Sequence, residues 1–372
     1  MIRTLKNIGL ALLTLILLSI SAIVLFVNLA PQFGCQPSGE HLDRIRQSEN
    51  YGEDQFVNLI ETVMDQSFEN TKGMISESIN AENTSPSTAI PTRFGEDYGT
   101  AVDSLWRITW YGHSSILAEK NGKRIFLDPM LGNAASPLPI FGNRFGNTPS
   151  FDLDKIGRLD VVVFSHDHYD HLDYQTILAI KDNVDHFITP LGLGSHLIKW
   201  GVSNDKITEL DWWENTTKVD IIFTATPARH FSGRGITDRN KTLWASWVIE
   251  SNNSKLYFSG DGGYGPHFKS IGQKFGSFDF AMMECGQYNK RWEAIHMMPE
   301  QTVQATLDLN TQRMMPIHWG GFALSPHPWK EPAERVSEAA KSTDIELFTP
   351  EIGVAFYPEL EPQDLDWWRL VD

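Results

Sequence analysis

The hydrophobic pattern divides the chain in two. Residues 8–30 are almost without interruption apolar. As a helix such a run spans about 34 Å, enough for a bilayer core of about 30 Å. Arg3 and Lys6 precede it and no basic residue follows until Arg44. The positive-inside rule then puts the N-terminus in the cytoplasm and the bulk of the protein on the far side, periplasmic in a Gram-negative cell. A cleaved signal peptide is the rival reading, with Ser19-Ile20-Ser21-Ala22 as its cleavage site. The apolar run continues past that site, which favours an uncleaved anchor.

After the anchor the pattern breaks into short runs. Residues 31–37 are rich in chain breakers, 56–79 carry weak helical spacing, and 80–103 are rich in Asn, Thr, Ser and Pro, as in a linker. From about residue 104 strands and helices intersperse. Residues 107–117 and 124–127 flank Asn121-Gly122, a hairpin signal. Further strands are expected at 160–164, 186–189, 207–210, 220–225, 243–249, 255–259, 278–283 and 313–317, and helices at 174–181, 193–200, 299–309 and 332–341. The division is an anchor at 8–30, a prelude and linker at 31–103, and a catalytic domain at 104–372. The fold class is α/β (α+β), an αβ/βα sandwich. No internal repeat is visible in the sequence.

Charge narrows the partners. With 31 basic and 47 acidic residues the net charge is −16, which argues against nucleic acid. Cys35 and Cys285 are the two cysteines, so no disulfide framework is implied. Tryptophan is abundant: Trp212, Trp213, Trp292, Trp319, Trp329, Trp367 and Trp368 are candidates for an acyl groove or a membrane surface, against the plainer reading of core.

The densest chemistry is Ser165-His166-Asp167-His168-Tyr169-Asp170-His171-Leu172-Asp173, directly after the β-branched run 160–164. Imidazole and carboxylate are the preferred ligands of zinc-like ions. Alternation puts His166 and His168 on one side of an extended segment. Asp170 and His171 follow a turn of the chain and can address a second point. One loop can therefore feed two metals. His230, Asp261 and His318 each stand just beyond a separate apolar run, where a sheet delivers side chains to one rim. Asp173 is placed to cap the helix that follows.

This pattern, HxHxDH followed by His, Asp and His after successive strands, resembles the metallo-β-lactamase fold superfamily. Segments around Trp110-Tyr111-Gly112-His113-Ser114, Leu127-Asp128-Pro129, Pro227-Ala228-Arg229-His230-Phe231-Ser232-Gly233-Arg234, Tyr288-Asn289-Lys290-Arg291-Trp292 and Ile317-His318-Trp319-Gly320 resemble the branch containing N-acyl-phosphatidylethanolamine-hydrolysing phospholipase D and its bacterial relatives. The resemblance covers roughly residues 104–357 and implies a four-layer αβ/βα sandwich. It implies that His166, His168 and His230 hold one divalent metal, that Asp170, His171 and His318 hold the second, and that Asp261 bridges them, with Zn2+ the best guess. His296 matches a histidine near the metals that binds phosphate or donates a proton. Asp167 is a second-shell partner, a proton acceptor, or merely solvated. His113 is a supporting or structural histidine. Arg229 and Arg291 either meet anionic substrate or form ion pairs. The reaction implied is phosphodiester cleavage of a membrane phospholipid, releasing phosphatidic acid. Another ester, lactone or amide is the alternative substrate, and a non-catalytic tethered metal-binding module is the reading from a different class. The resemblance also allows a homodimer.

Overall fold

The computed structural model describes residues 2–65, 67–93, 103–146, 151, 153–360 and 366–372. Helix α1 (Ile2–Leu29) leads into the short helix α2 (Glu40–Ile45), the small hairpin β1 (Tyr51–Gly52) and β2 (Gln55–Phe56), and helix α3 (Phe68–Ile79). The first half of the sandwich follows: β3 (Arg107–Trp110), β4 (Ile116–Lys120), β5 (Lys123–Leu127), β6 (Leu159–Val163), α4 (Tyr174–Ile180), β7 (Val184–Pro190), α5 (Gly194–Lys199) and β8 (Ile207–Leu210). The second half contains β9 (Asn215–Lys218), β10 (Ile221–Thr226), β11 (Ser246–Ser251), β12 (Ser254–Phe258), α6 (His267–Phe275), β13 (Phe280–Glu284), α7 (Pro299–Asp308), β14 (Arg313–Ile317), α8 (Glu331–Ala340), β15 (Glu346–Leu347) and β16 (Ala355–Phe356).

The strands form two seven-stranded sheets, ordered β16-β3-β4-β5-β6-β7-β8 and β9-β10-β11-β12-β13-β14-β15. In the first, neighbours are antiparallel up to the β4–β5 pair and parallel from β5 onward. In the second, they are antiparallel up to the β11–β12 pair and parallel from β12 onward. The two halves thus share one pairing plan, a repeat carried by topology and not by sequence. The sheets stack face to face with helices outside.

Burial explains the continuous apolar runs. Val161 and Val163 face the core between the sheets with Phe223, Trp247, Phe258 and Met282. Val162 and Phe164, on the opposite face of the same strand, pack under α4 and α5 with Ile177 and Leu197. A strand covered on both sides has no reason to alternate. In the second half, Met283 and Tyr257 pack outward against Phe268, Val303 and Val336 of α6, α7 and α8. The Asn121-Gly122 hairpin is present, with Lys120 opposite Lys123 and φ of 52° and 70° at the turn, as a type I′ turn requires.

Several expectations are corrected. The run 107–117 is not one strand. The chain breaks at Gly112 and His113, both at positive φ, and this break delivers His113 to the rim. The helix expected over 56–79 begins only at Phe68, where the Ser67 side chain accepts from Asn70 N. Ahead of it, Phe56 is a buried strand residue, and Ile45, Phe56 and Ile90 join the core between the sheets, so the prelude is packed into the body. Residues 94–102 of the expected linker lie outside the described residues. Of the seven candidate tryptophans, five are core residues. Trp212, Trp319, Trp329, Trp367 and Trp368 are buried, and Trp367 stacks on Trp319 at 5.6 Å between centroids. Trp213 and Trp292 are half-buried, the former packed against the core and the latter donating its indole N–H to Gln287 O.

Helix α1 is exposed along its described length, and it is long and apolar enough to cross a membrane. Truncating Trp367 to alanine opens a cavity beneath Trp319 and Trp110. Trp367→Ala is expected to lower stability by about 3–5 kcal/mol, read as a reduced unfolding midpoint in detergent; an unchanged midpoint would show that the C-terminal turn packs independently of the core.

Candidate metal centre

The polar cluster gathers at one edge of the sandwich because the strands that carry it share a direction there. Asp128 follows β5, the 165–173 loop follows β6, His230 lies beyond β10, Asp261 beyond β12, Glu284 ends β13 and His318 follows β14. Backbone contacts across the two sheets hold the halves in register at this edge. His113 N donates to Trp319 O at 2.8 Å, His318 N to His113 O at 2.9 Å, and Ala245 N to Ser165 O at 2.9 Å. Gly260 sits at φ 57°, where a Cβ would lie 2.6 Å from that of Ser165, so only glycine lets the Asp261 turn approach so closely.

The loop after β6 turns where the sequence pattern requires it, with Leu172 N bonded to His168 O at 2.8 Å. Asp173 caps α4, accepting from Thr176 N at 2.8 Å. His166 Nε2 comes to 2.9 Å from His168 Nδ1, and His230 Nε2 to 3.2 Å from the same atom. These three form one triangle of ligand atoms, while Asp170, His171 and His318 form a second together with His113. Asp261 Oδ2 stands between them, 3.0 Å from His171 Nε2, 3.1 Å from His318 Nε2, 3.9 Å from His166 Nε2 and 4.0 Å from His230 Nε2. All seven residues singled out as ligands therefore converge.

The electrostatics fit a cation centre. Burial, reinforced by neighbouring imidazoles, holds His166 and His230 well below the ordinary histidine range, so both present neutral lone pairs. Burial also disfavours ionised Asp261 and Asp170, but His171 leads the surrounding groups that outweigh it, and both carboxyls lie well below their usual range. Burial disfavours charge on His318, yet Asp261, Asp170 and Glu284 push it up to about 10. Buried carboxylates here demand positive charge, and Asp261 Oδ1 is buried with no hydrogen-bond partner among the described residues. Nitrogen and oxygen donors of this kind suit zinc and similar divalent ions.

Some contributors were not legible as ligand supports in the sequence. Asp128 accepts from Ser165 N at 2.7 Å and lies 2.7 Å from His171 Nδ1, the arrangement that fixes a ligand's tautomer. Glu284 Oε1 is 2.5 Å from His296 Nδ1, its Oε2 accepts from Met297 N at 3.0 Å, and its side chain is fully buried. His113 Nε2 lies 2.9 Å from Asp170 Oδ2, which makes it a member of the cluster and not a distant support. Arg234, 4% exposed, donates through Nη1 to Asp167 O and Leu172 O and so braces the loop from behind. The motif around His230 contained Arg234, but only its contacts assign it a part.

Other candidates point elsewhere. Asp167 Oδ1 accepts from Gly233 N at 2.8 Å and Oδ2 from Thr242 Oγ1 at 2.9 Å, with His196 Nε2 at 3.3 Å. Burial alone would raise its pKa, but His196 and Gly233 outweigh it and keep the carboxylate ionised. Its oxygens are thus engaged away from the metal cluster, and it positions the loop. Arg229 donates to Thr62 Oγ1, Glu61 O and Tyr264 O. Arg291 pairs with Glu77 at 2.8 Å and with Asn70. Both arginines hold the 58–79 segment to the body through these contacts.

Two helix-covered sheets with a His/Asp cluster at their shared edge define a metal-dependent hydrolase of the metallo-β-lactamase superfamily. A family model described as "Beta-lactamase superfamily domain" matches residues 123–319, and the chain belongs to that family. It is 38% identical over 330 residues to "Uncharacterized protein Rv0906" of Mycobacterium tuberculosis, covering 87% of this chain and 88% of that one. It is 32% identical over 244 residues to "N-acyl-phosphatidylethanolamine-hydrolyzing phospholipase D 1" of Caenorhabditis elegans, covering 62% of this chain and 68% of that one. Among solved structures, the metallo hydrolase Igni18 of Ignicoccus hospitalis superposes with a TM-score of 0.53 at 20% identity, over 68% of this chain and 97% of that one, a likeness of fold.

Asp128 offers a test that spares every ligand. Asp128→Asn is expected to weaken metal retention by about 10- to 100-fold, measured by competition with a chelator. Retention equal to wild type would show that the His171 contact does not tune the site.

Proposed function

We propose that the protein is a membrane-tethered, dinuclear-metal hydrolase that cleaves a phosphodiester of a membrane phospholipid in the manner of a phospholipase D, releasing phosphatidic acid. One observation carries the lipid reading. Phe33, just past the end of α1, packs edge-on against Tyr169 at 6.2 Å, and Tyr169 is the residue between His168 and Asp170. An anchored chain would thereby carry its metal loop next to the bilayer. The resemblance to a relative named for phospholipid hydrolysis points the same way.

In this reading His166, His168 and His230 hold one cation, Asp170, His171 and His318 the other, and Asp261 spans both, with Zn2+ the expected metal. Such a pair supplies a nucleophile at neutral pH and neutralises charge on phosphoryl oxygens. The residues then have separate tasks. Asp128 and Glu284 fix ring orientations. The carbonyls of Ile295 and Gly286 face Nδ1 of His230 and His318, at 2.9 and 3.2 Å. His296, with Nδ1 against Glu284, offers a ring nitrogen within 4.8 Å of ligand atoms of His230 and Asp261, and its ring lies 5.1 Å from that of His230 and 5.2 Å from that of His318. That placement suits proton donation to the head-group oxygen as its bond to phosphorus breaks. In this reading the catalytic body lies on the extracytoplasmic side, periplasmic in a Gram-negative cell, which the basic residues Arg3 and Lys6 ahead of the apolar run support.

The deciding assay is hydrolysis of a panel containing N-acyl-phosphatidylethanolamine, phosphatidylethanolamine, a soluble phosphodiester and a lactone, with metal content determined on the same sample. Metal-dependent release of phosphatidic acid is expected. Turnover confined to the lactone or the soluble ester would replace the lipid with the alternative substrate class. Asp261→Asn is expected to lose both metal and turnover, and full loading with full activity would refute its bridging role. His296→Gln is expected to lower kcat by about 10²- to 10⁴-fold at unchanged metal content, and wild-type kcat would remove His296 from proton transfer.

A further inference from the structure

The exit of α1 is fastened to the body at several points. Arg234 Nε and Nη2 donate to Gln32 O at 3.0 and 2.8 Å, and Gln32 Nε2 donates to Pro137 O at 3.0 Å. Trp200 Nε1 donates to Pro31 O at 2.7 Å, and Cys35 N to His196 Nδ1 at 3.1 Å. Phe33 also packs edge-on against Phe26 of α1 itself, 5.4 Å between centroids. A helix held this way cannot swing freely on a linker. Its last turn has a set position against two surface loops, 133–143 and 233–239.

Those same loops carry large apolar side chains that stand exposed among the described residues. In the first, Leu138 is 39% exposed, Ile140 70% and Phe141 61%; in the second, Ile236 is 71% exposed. Leu138 adjoins Pro137, and Ile236 lies two residues from Arg234. At no more than about 3.8 Å per residue, these apolar positions stand one to four residues, or about 4–15 Å, from the residues bonded to the exit. Both loops are tied within themselves. Ala135 N donates to Gly142 O, and Asp238 accepts from Arg234 N and Gly235 N. Single exposed apolar residues are ordinary on a protein surface. A group of them around the point where an apolar helix leaves the body is not.

We propose that the 137–141 loop and Ile236 form an interfacial foot that enters the lipid surface beside the anchor and holds the 165–173 loop close to the bilayer. The proposal rests on α1 being a membrane anchor. If α1 spans, its polar exit at Pro31 and Gln32 lies at the head-group boundary, and the two loops bonded to that exit lie at the same depth. Apolar and aromatic side chains at that depth gain by leaving water. The occupant is therefore a lipid surface, and the chain's own anchor determines which part of the body meets it. The foot adds contacts beside the helix, so the body is oriented as well as tethered.

The test uses the full chain on a Cys35→Ser background, reconstituted in vesicles of phosphatidylethanolamine and phosphatidylglycerol containing nitroxide-labelled phosphatidylcholine. An environment-sensitive fluorophore is placed in turn through Ile140→Cys, Ile236→Cys, Leu15→Cys in α1, and Leu307→Cys, 40% exposed on α7 in the outer helix layer of the other sheet. Blue-shifted emission and lipid quenching at 140, 236 and 15, with a water-exposed signal at 307, are expected. Quenching at 15 with water-like signals at 140 and 236 would overturn the foot and leave the anchor intact. A water-like signal at 15 would overturn both.

Discussion

Carboxylates buried at the meeting edge of two sheets set the terms for the rest of this molecule. Asp128, Asp170, Asp261 and Glu284 are withdrawn from water around seven histidines, His113, His166, His168, His171, His230, His296 and His318. Burying unpaired charge costs several kcal/mol per group, so the arrangement persists only where positive charge answers it. Protons on His171 and His318 are one answer, and divalent cations are the stronger one. The same shortage of positive charge that strains the protein alone is what makes the rim a metal site.

Holding such a cluster requires a scaffold that cannot relax around it. Each contributing residue stands at the end of a strand or a few residues beyond it, and the strands are locked by a core covered on both faces. The cross-sheet bonds at His113, Ser165 and Trp319 then prevent one half from sliding over the other. The orienting groups have the same character. Asp128, Glu284 and the carbonyls of Ile295 and Gly286 address the far nitrogens of imidazoles whose near nitrogens face the centre, which fixes ring orientation without occupying the site.

The N-terminal third is more than a tether. Asn58 bonds His230 through both its own side-chain atoms and the histidine's backbone, and Arg229 and Arg291 grip residues 61–77. The helix exit reaches the metal loop through Phe33, Tyr169 and Arg234. The exit of α1, the loop geometry and the cluster are consequently joined by short chains of direct contacts, and a change at the exit has a route to His168 through its neighbour Tyr169.

Much of the ligand set could be read directly. A histidine- and aspartate-rich loop after a β-branched run, and three further residues after apolar runs, are local patterns, and strand ends bring such residues to one rim whatever their separation in the chain. The long apolar helix was equally plain from its length and composition, and the Asp173 cap from its position ahead of a helix. Other features had no local signal. The strand Asn215–Lys218 is polar because it lies at a sheet edge, where little burial shapes its composition. The arginines carry the same charge whether they meet substrate or Glu77, and tryptophans are equally apolar in a core or at a membrane. His113, Asp128, Glu284 and Arg234 acquire their parts only through partners 43 to 67 residues away or across a turn of the chain, as in the contacts of Asp128 with His171 and Arg234 with Asp167. Sequence therefore determined which groups could bind metal and which segment could enter a membrane, because both depend on local residue chemistry. The stacking of the two sheets decided which group orients which, because orientation depends on distances that exist only after the halves have packed.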